Sequence, residues 1–202
     1  MKKTLLATTL LVATAGFAAA DVNMSGYGRF GLVDDGVDSW VHTRLRINID
    51  ASMETDGGIT FGGRIRLQHS ESVLSDFAAP ESGATLSPAK LFMEAGGLRV
   101  EVGNADGAYD NAGLIWNSEI GLVDSSYGDP NNSYYGYFAT YPYLIATNQM
   151  GIYAAYSTGN LTARVSYHDL DQFDAVVAGG EESAVSGDWT SNGVSLSAAM
   201  VS

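Results

Sequence analysis

Residues 40–53 read WVHTRLRINIDASM, and they alternate without a break between apolar and polar side chains. Leu45 and Ile47, for example, fall on one side of the run, and Arg44 and Arg46 fall on the other. Successive side chains of a β-strand point to opposite faces, so period two over this length predicts one long extended strand.

A tight turn and a second strand follow. Residues 54–58 (ETDGG) have turn composition, since glycine readily adopts a positive φ. Residues 59–68 alternate again and carry Arg64 and Arg66 on the polar side. We expect this hairpin to bring the arginines of its two strands roughly opposite one another, although like charges across a strand pair are destabilising. A membrane barrel combines such a polar face with an apolar one, whereas the alternative is a solvated sheet face.

The first 20 residues have the pattern of a secretory leader. Lys2 and Lys3 form a basic start, residues 5–17 are apolar, and residues 18–20 are three alanines. The apolar run is too short for a membrane helix, which needs about 20 residues. We therefore predict a signal peptide over residues 1–20, cleaved after Ala20, and one β-barrel domain over residues 21–202.

Composition narrows the class of protein. Removing the two leader lysines takes the formal net charge from −13 to −15, which excludes nucleic acid as a natural partner. The chain has no cysteine, so disulfides do not stabilise it. Its 24 glycines and 11 tyrosines are typical of an outer-membrane barrel, where aromatic residues line the lipid–water interfaces.

The same alternation recurs along the chain and predicts an all-β protein. Tight turns at 57–58 and 96–97 contrast with longer loops at 70–89 and 169–190, an asymmetry that is typical of membrane barrels. We count about eight strands, over residues 22–32, 40–53, 59–68, 89–95, 98–103, 149–157, 161–168 and from Val194 onward.

Residues 104–147 interrupt this pattern. The segment is far longer than an ordinary connection and is rich in aromatic residues, which argues for a functional loop rather than disorder. It has no basic residue, but it carries the acidic residues Asp106, Asp110, Glu119, Asp124 and Asp129. A purely acidic loop in a protein with an arginine-rich strand face predicts that the two face each other.

Three segments in this order resemble the general porins of Gram-negative bacteria, in particular their alphaproteobacterial (Rhodobacter-type) branch. They are residues 21–31 (DVNMSGYGRFG), the arginine hairpin, and residues 98–104 (LRVEVGN) before the long acidic loop. The resemblance implies a transmembrane antiparallel β-barrel of about sixteen strands. It also implies a third loop folded into the lumen, a homotrimer in outer-membrane lipid, and passive diffusion of small hydrophilic solutes and ions.

The resemblance also implies a charged constriction. Its basic wall would consist of Arg29, Arg44, Arg46, Arg64 and Arg66, with Arg99 as a further candidate. Its acidic loop would contribute from Asp106, Asp110, Glu119, Asp124 and Asp129. Since about eight strands are predicted here, we expect residues 21–202 to be the N-terminal part of a porin.

Two other classes of protein stay open at this point. A small closed eight-stranded barrel has its interior filled by side chains, and it would have a structural or adhesive role. A secreted β-sandwich would be a soluble binding module. An enzyme is not expected, because only three histidines are present and no nucleophile elbow or zinc-binding helix motif occurs.

No cofactor is expected. His42 and His168 lack suitably spaced partner ligands for a metal. The acidic runs at 34–38 and 169–171 have a calcium-like composition without the spacing of an EF-hand loop, so calcium is the one cation they leave open.

The net charge predicts a weak preference for cations. Replacing Arg44 and Arg46 together by alanine removes two positive charges from the wall, so cation preference should strengthen. Reversal potentials in planar bilayers under a salt gradient measure this directly. Unchanged reversal potentials in the double variant would refute the assignment of these arginines to the pore.

Overall fold

The computed structural model describes residues 21–34, 36–70, 84–115, 150–169 and 181–202. These residues form ten antiparallel strands in one sheet. The strands are β1 (Asp21–Asp34), β2 (Ser39–Glu54), β3 (Thr60–Ser70), β4 (Thr85–Leu86), β5 (Lys90–Ala95), β6 (Leu98–Gly103), β7 (Met150–Thr158), β8 (Leu161–Asp169), β9 (Glu181–Ser191) and β10 (Val194–Val201).

Neighbours in the sheet are neighbours in sequence. The order is β1-β2-β3-β5-β6-β7-β8-β9-β10, and the short β4 pairs with β3 beside this path. Hairpins of this kind need tight turns, and the backbone supplies them at Gly96 and Gly97, whose φ angles of +55° and +83° are in the left-handed region. Within the described residues, no helix has the length and apolar character needed to cross a membrane.

The two faces of the sheet differ as the alternation predicts. On one face Phe30 is 85% exposed and Leu32 is 79% exposed, and Leu91, Ile152 and Val165 are exposed with them. An apolar face of this extent is incompatible with water and is typical of the lipid-facing side of a barrel. The opposite face carries the arginines and the other polar residues of the same strands, and we call it the inner face.

The register of β2 and β3 corrects the expected arrangement of the arginines. Arg64 lies opposite Asp50, and Arg66 lies opposite Asn48. The prediction that the arginines of these two strands oppose one another is therefore wrong. This register avoids facing like charges across the hairpin, and Arg46, Arg64 and Arg66 each meet an acceptor instead. Arg29 and Arg44, on β1 and β2, are the pair that the register does set opposite each other.

Two strands were missed by the count of about eight. β4 is only two residues long and lies within the predicted loop 70–89. β9 lies inside the predicted acidic loop 169–190, where acidic and small residues hide an alternating pattern. Glu182, Ala184 and Ser186 are buried on the inner face, while Val185 and Trp189 are exposed on the outer one. The loop prediction was wrong there because a carboxylate on the inner face is compatible with a strand.

Several predictions concern residues outside those described. They are the leader at residues 1–20, the loop residues 71–83 and 170–180, and the part of the long acidic segment from 116 to 149.

The outer face yields a prediction about stability. Val165 lies in the middle of β8 and is exposed there, so Val165→Arg should cost about 2–4 kcal/mol if this face meets lipid. Leu161 begins the same strand beside the turn, and Leu161→Arg should cost only about 0–1 kcal/mol. Denaturant unfolding in lipid vesicles would measure both. Equal costs at the two positions would contradict a lipid-facing surface.

Candidate functional site

The arginines of β1 and β2 lie close together on the inner face, at two successive levels of the sheet. Arg29 and Arg44 are register partners, and Arg46 pairs with Tyr27 on β1 and with Gln68 on β3. The Arg46 Nε donates to Gln68 Oε1 at 2.6 Å, and its guanidinium lies 5.2 Å from the centre of the Tyr27 ring. A planar guanidinium held by a hydrogen bond and an aromatic face has a fixed orientation.

The arginines of β3 have their own acceptors on β2. The Arg64 Nε donates to Asp50 Oδ1 at 2.7 Å, and a second guanidinium nitrogen donates to Asp50 Oδ2 at 3.2 Å. The Arg66 Nε donates to Asn48 Oδ1 at 2.8 Å. Two parallel bonds to a carboxylate give Arg64 both neutralisation and a defined direction, whereas Arg66 meets a neutral acceptor. Asp50 therefore neutralises the charge of Arg64 at close range.

Lys90, the one lysine beyond the leader, forms a buried ion cluster. It is 5% exposed, and its Nζ lies 2.9 Å from Glu101 Oε2 and 3.3 Å from Asp106 Oδ2. Arg99 extends the cluster, with its Nε 2.7 Å from Glu101 Oε1 and a second nitrogen 2.9 Å from Glu94. Buried charges of opposite sign compensate the loss of water only when they are paired in this way. Lys90 thus joins strand β6 to the start of the acidic loop.

The chain turns back onto the inner face immediately after β6. Ala105 and Ala108 are 1% and 0% exposed and pack against Tyr153 and Ala184 of the sheet. We call residues 104–115 the loop segment. It therefore lies inside the curve of strands β6 to β9, as the resemblance implied for the third loop.

Side chains of the barrel wall form hydrogen bonds with the loop segment. The Ala108 N–H donates to Ser166 Oγ at 2.8 Å, and the Gly113 N–H donates to Asp188 Oδ1 at 3.0 Å. His168 Nε2 lies 3.1 Å from the Ala105 carbonyl oxygen. Since a carbonyl only accepts, Nε2 carries the hydrogen in this contact.

Gly151 makes room for the histidine. A Cβ added at Gly151 would lie 2.4 Å from His168 Cδ2, closer than packed atoms approach. The absent side chain therefore lets the imidazole lie flat on β7 beneath the loop segment. The Nδ1 atom of His168 points toward Glu182 of β9 and lies 4.0 Å from its Oε1.

A polar cavity of about 390 Å³ lies between the loop segment and the wall. Arg64 and Asp106, two of the predicted site residues, line it together with Lys90, Arg99, Glu101 and Arg164. Asp110 is half-buried in the loop segment. Glu119, Asp124 and Asp129 lie outside the described residues, and the role of all these residues in a constriction stays a prediction.

Sequence reasoning missed several residues of this site. Arg164, Ser166 and His168 share the polar face of a strand that was predicted correctly, so the alternation alone could have assigned them to the inner wall. Asp188 could not have been found, because the segment around it was predicted to be a loop. Among the residues that the structure describes, no group of three or more histidine and acidic side chains gathers as metal ligands.

Comparisons with known proteins identify relatives of the chain. A family model described as Gram-negative porin matches residues 7–201. A protein from Fuscovulum blasticum named Porin is 37% identical over 186 residues, which cover 89% of this chain and 62% of that relative.

Solved structures give the same result. A triple mutant of the Rhodopseudomonas blastica porin superposes with a TM-score of 0.76 at 34% identity, and a second engineered variant does so with the same score at 35%. Each match covers 90% of this chain and 63% of the other. The chain therefore spans less than two thirds of the length of these relatives.

The ion cluster yields a prediction about stability. Lys90→Met removes the cation shared by Glu101 and Asp106 and leaves Glu101 with Arg99 alone, so the cost should be up to the roughly 3–5 kcal/mol of a broken buried ion pair. Arg64→Met is the matched control, since the half-exposed Arg64–Asp50 pair should contribute only about 0–1 kcal/mol. Denaturant unfolding of refolded protein compares the two. A smaller loss for Lys90→Met than for Arg64→Met would show that the cluster is not structural.

Proposed function

Because this chain belongs to the family of Gram-negative porins, we propose that the whole protein is an outer-membrane channel. Small hydrophilic solutes and ions would diffuse passively through its water-filled lumen. As a porin, the protein is an all-β barrel of the outer membrane, and its apolar outer face meets lipid. Lipid is thus its immediate surrounding, and the polar inner face is the surface along which solutes travel.

The position of the loop segment is the observation that carries this proposal. Ala105 and Ala108 are buried against the inner face, so the loop begins inside the lumen rather than at its rim. An eight-stranded barrel has no interior space for such a segment, since side chains fill it. A wider barrel with an inward loop is narrowed but not closed, which is the geometry of a diffusion pore.

The charges on the two sides of the lumen support a selective constriction. We assign the basic wall to Arg29, Arg44, Arg46, Arg64 and Arg66, and the acidic side to Asp106 and Asp110 together with Glu119, Asp124 and Asp129. Opposed rows of charge across water create a transverse field, which orients dipolar solutes and disfavours apolar ones. Asp50 neutralises Arg64 at close range, which would reduce the contribution of Arg64 to this field.

The remaining properties follow from the same proposal. The family relatives are channels, and we propose that this protein likewise has no catalytic activity. It would act as a homotrimer and would need no cofactor, with calcium at the acidic loops as the one cation the sequence leaves open. Chemical cross-linking in detergent tests whether the protein is a trimer. Adding an excess of chelator tests whether the protein depends on calcium.

Liposome swelling distinguishes the channel from the two alternative classes. Vesicles containing the purified protein should swell in neutral sugars, at rates that fall with solute size, because a water-filled pore sieves by size. A small closed barrel would insert without causing swelling. A β-sandwich would remain in the aqueous phase without detergent. Either of these two outcomes would refute the channel.

A further inference from the structure

Besides the Lys90–Asp106 ion pair, the wall holds three points of the loop segment through the loop's own main chain. The N–H groups of Ala108 and Gly113 and the carbonyl of Ala105 make the bonds, and wall side chains are their partners. The loop side chains at these positions are a methyl group or a hydrogen atom, and they make none of these hydrogen bonds. At these three points, side chains of the wall rather than of the loop determine where the loop segment lies.

The three wall residues bind different points along the loop segment. His168 and Ser166, on β8, hold the beginning of the loop segment at Ala105 and Ala108. Asp188, on β9, holds Gly113, which is five residues farther along the chain. Of these three partners, Asp188 therefore holds the point deepest along the loop segment.

Asp188 is itself held in place. Its Oδ1 accepts from the Ser197 hydroxyl of β10 at 2.6 Å, and its Oδ2 accepts from Arg164 of β8. A carboxylate has about four acceptor positions, so these bonds leave room for the Gly113 N–H. Donors from both neighbouring strands orient the carboxylate toward the lumen.

Glycine at position 113 fits this arrangement. A Cβ added there would lie 3.1 Å from Asp188 Cγ and both carboxylate oxygens. A larger residue would have to move either the loop or the carboxylate. The backbone N–H can approach a charged acceptor at this distance because no side chain intervenes.

We propose that Asp188 is the positioning residue that fixes how far the loop segment extends into the lumen. Arg164 and Ser197 orient its carboxylate, and Gly113 is the point it holds. The consequence for transport rests on the channel function proposed above. A hydrogen bond to a charged group should raise the ratio of docked to released loop by about tenfold or more.

Spin labelling tests the docking directly. The chain has no cysteine, so Leu114→Cys, at an exposed position beside Gly113, gives a single labelling site. Asp188→Ala in this background should raise the mobile fraction of the label by about tenfold. Asp188→Asn retains a neutral acceptor and should give an intermediate value.

Asp50→Ala is the matched control. It also removes a carboxylate that pairs with an arginine on the neighbouring strand, 2.7 Å away, and it changes the net charge equally. Asp50 makes no contact with the described loop residues, so label mobility should stay at the parent value. Migration of unheated samples in detergent gels verifies that each variant is folded.

A disulfide between positions 113 and 188 can replace the hydrogen bond from Gly113 to Asp188. A Cβ at position 113 would lie 3.1 Å from Asp188 Cγ. Gly113→Cys and Asp188→Cys together are therefore close enough to form a disulfide, in which the two Cβ atoms are typically about 3.8 Å apart. Single-channel current should be quiet in the oxidised double variant and should become noisy on reduction. Asp188→Ala should be noisy with or without reductant.

The outcomes separate the two proposals. Label mobility and current noise in Asp188→Ala equal to those of the parent, in a protein that conducts, would overturn the role of Asp188 and leave the channel intact. A label that responds to Asp188→Ala in a protein that does not conduct would support the anchor and refute the channel.

Discussion

The whole structure depends on one constraint of the extended backbone, namely that successive side chains point to opposite faces. Because strands β1 to β10 pair along their length, the backbone polar groups between them are satisfied within the sheet, as a membrane requires. Each side chain must then lie in one of two media. Phe30 and Leu32 lie in the apolar one, and Arg29, the residue before Phe30, lies on the polar side. The charged site exists only because every second residue is removed from lipid in this way.

The strand register determines which charged side chains of the inner face lie next to each other. The offset between β2 and β3 gives Arg64 a carboxylate and Arg66 an amide, so neither faces another arginine across the hairpin. Lys90 serves the opposite purpose, since it gathers two acidic groups, one of which belongs to the loop. Neutralisation therefore varies along the wall. Lys90, Arg64 and Arg164 each pair with a carboxylate, whereas Arg66 donates to an amide oxygen.

Most of the fold could be predicted from the sequence, because side-chain alternation is a local property. It gave the arginine hairpin, the Gly96-Gly97 turn and the inner face of β8 correctly. Register is not local, and a shift of two residues keeps every side chain on its face, so the pairing of Arg64 with Asp50 was not predictable from alternation. β9 was missed because Glu182 and Asp188 look like loop residues until His168 and Arg164 are found beside them. The position of the loop segment depends on contacts between residues that are distant in sequence, so it could not be predicted from alternation either.

The register of the arginines also determines how their charges are distributed along the sheet. A ring of guanidinium groups at one depth would act as a single barrier or well. At each of the β2 positions Asp50, Asn48, Arg46 and Arg44, either the residue itself or its partner on β3 is an arginine. The arginines are therefore spaced in regular steps along the strand. Neighbouring steps are about 7 Å apart, at two residues per step, which is within the screening length of about 8 Å at physiological salt. Because each guanidinium lies within this length of the next, their electrostatic fields overlap along the strand instead of acting at one depth.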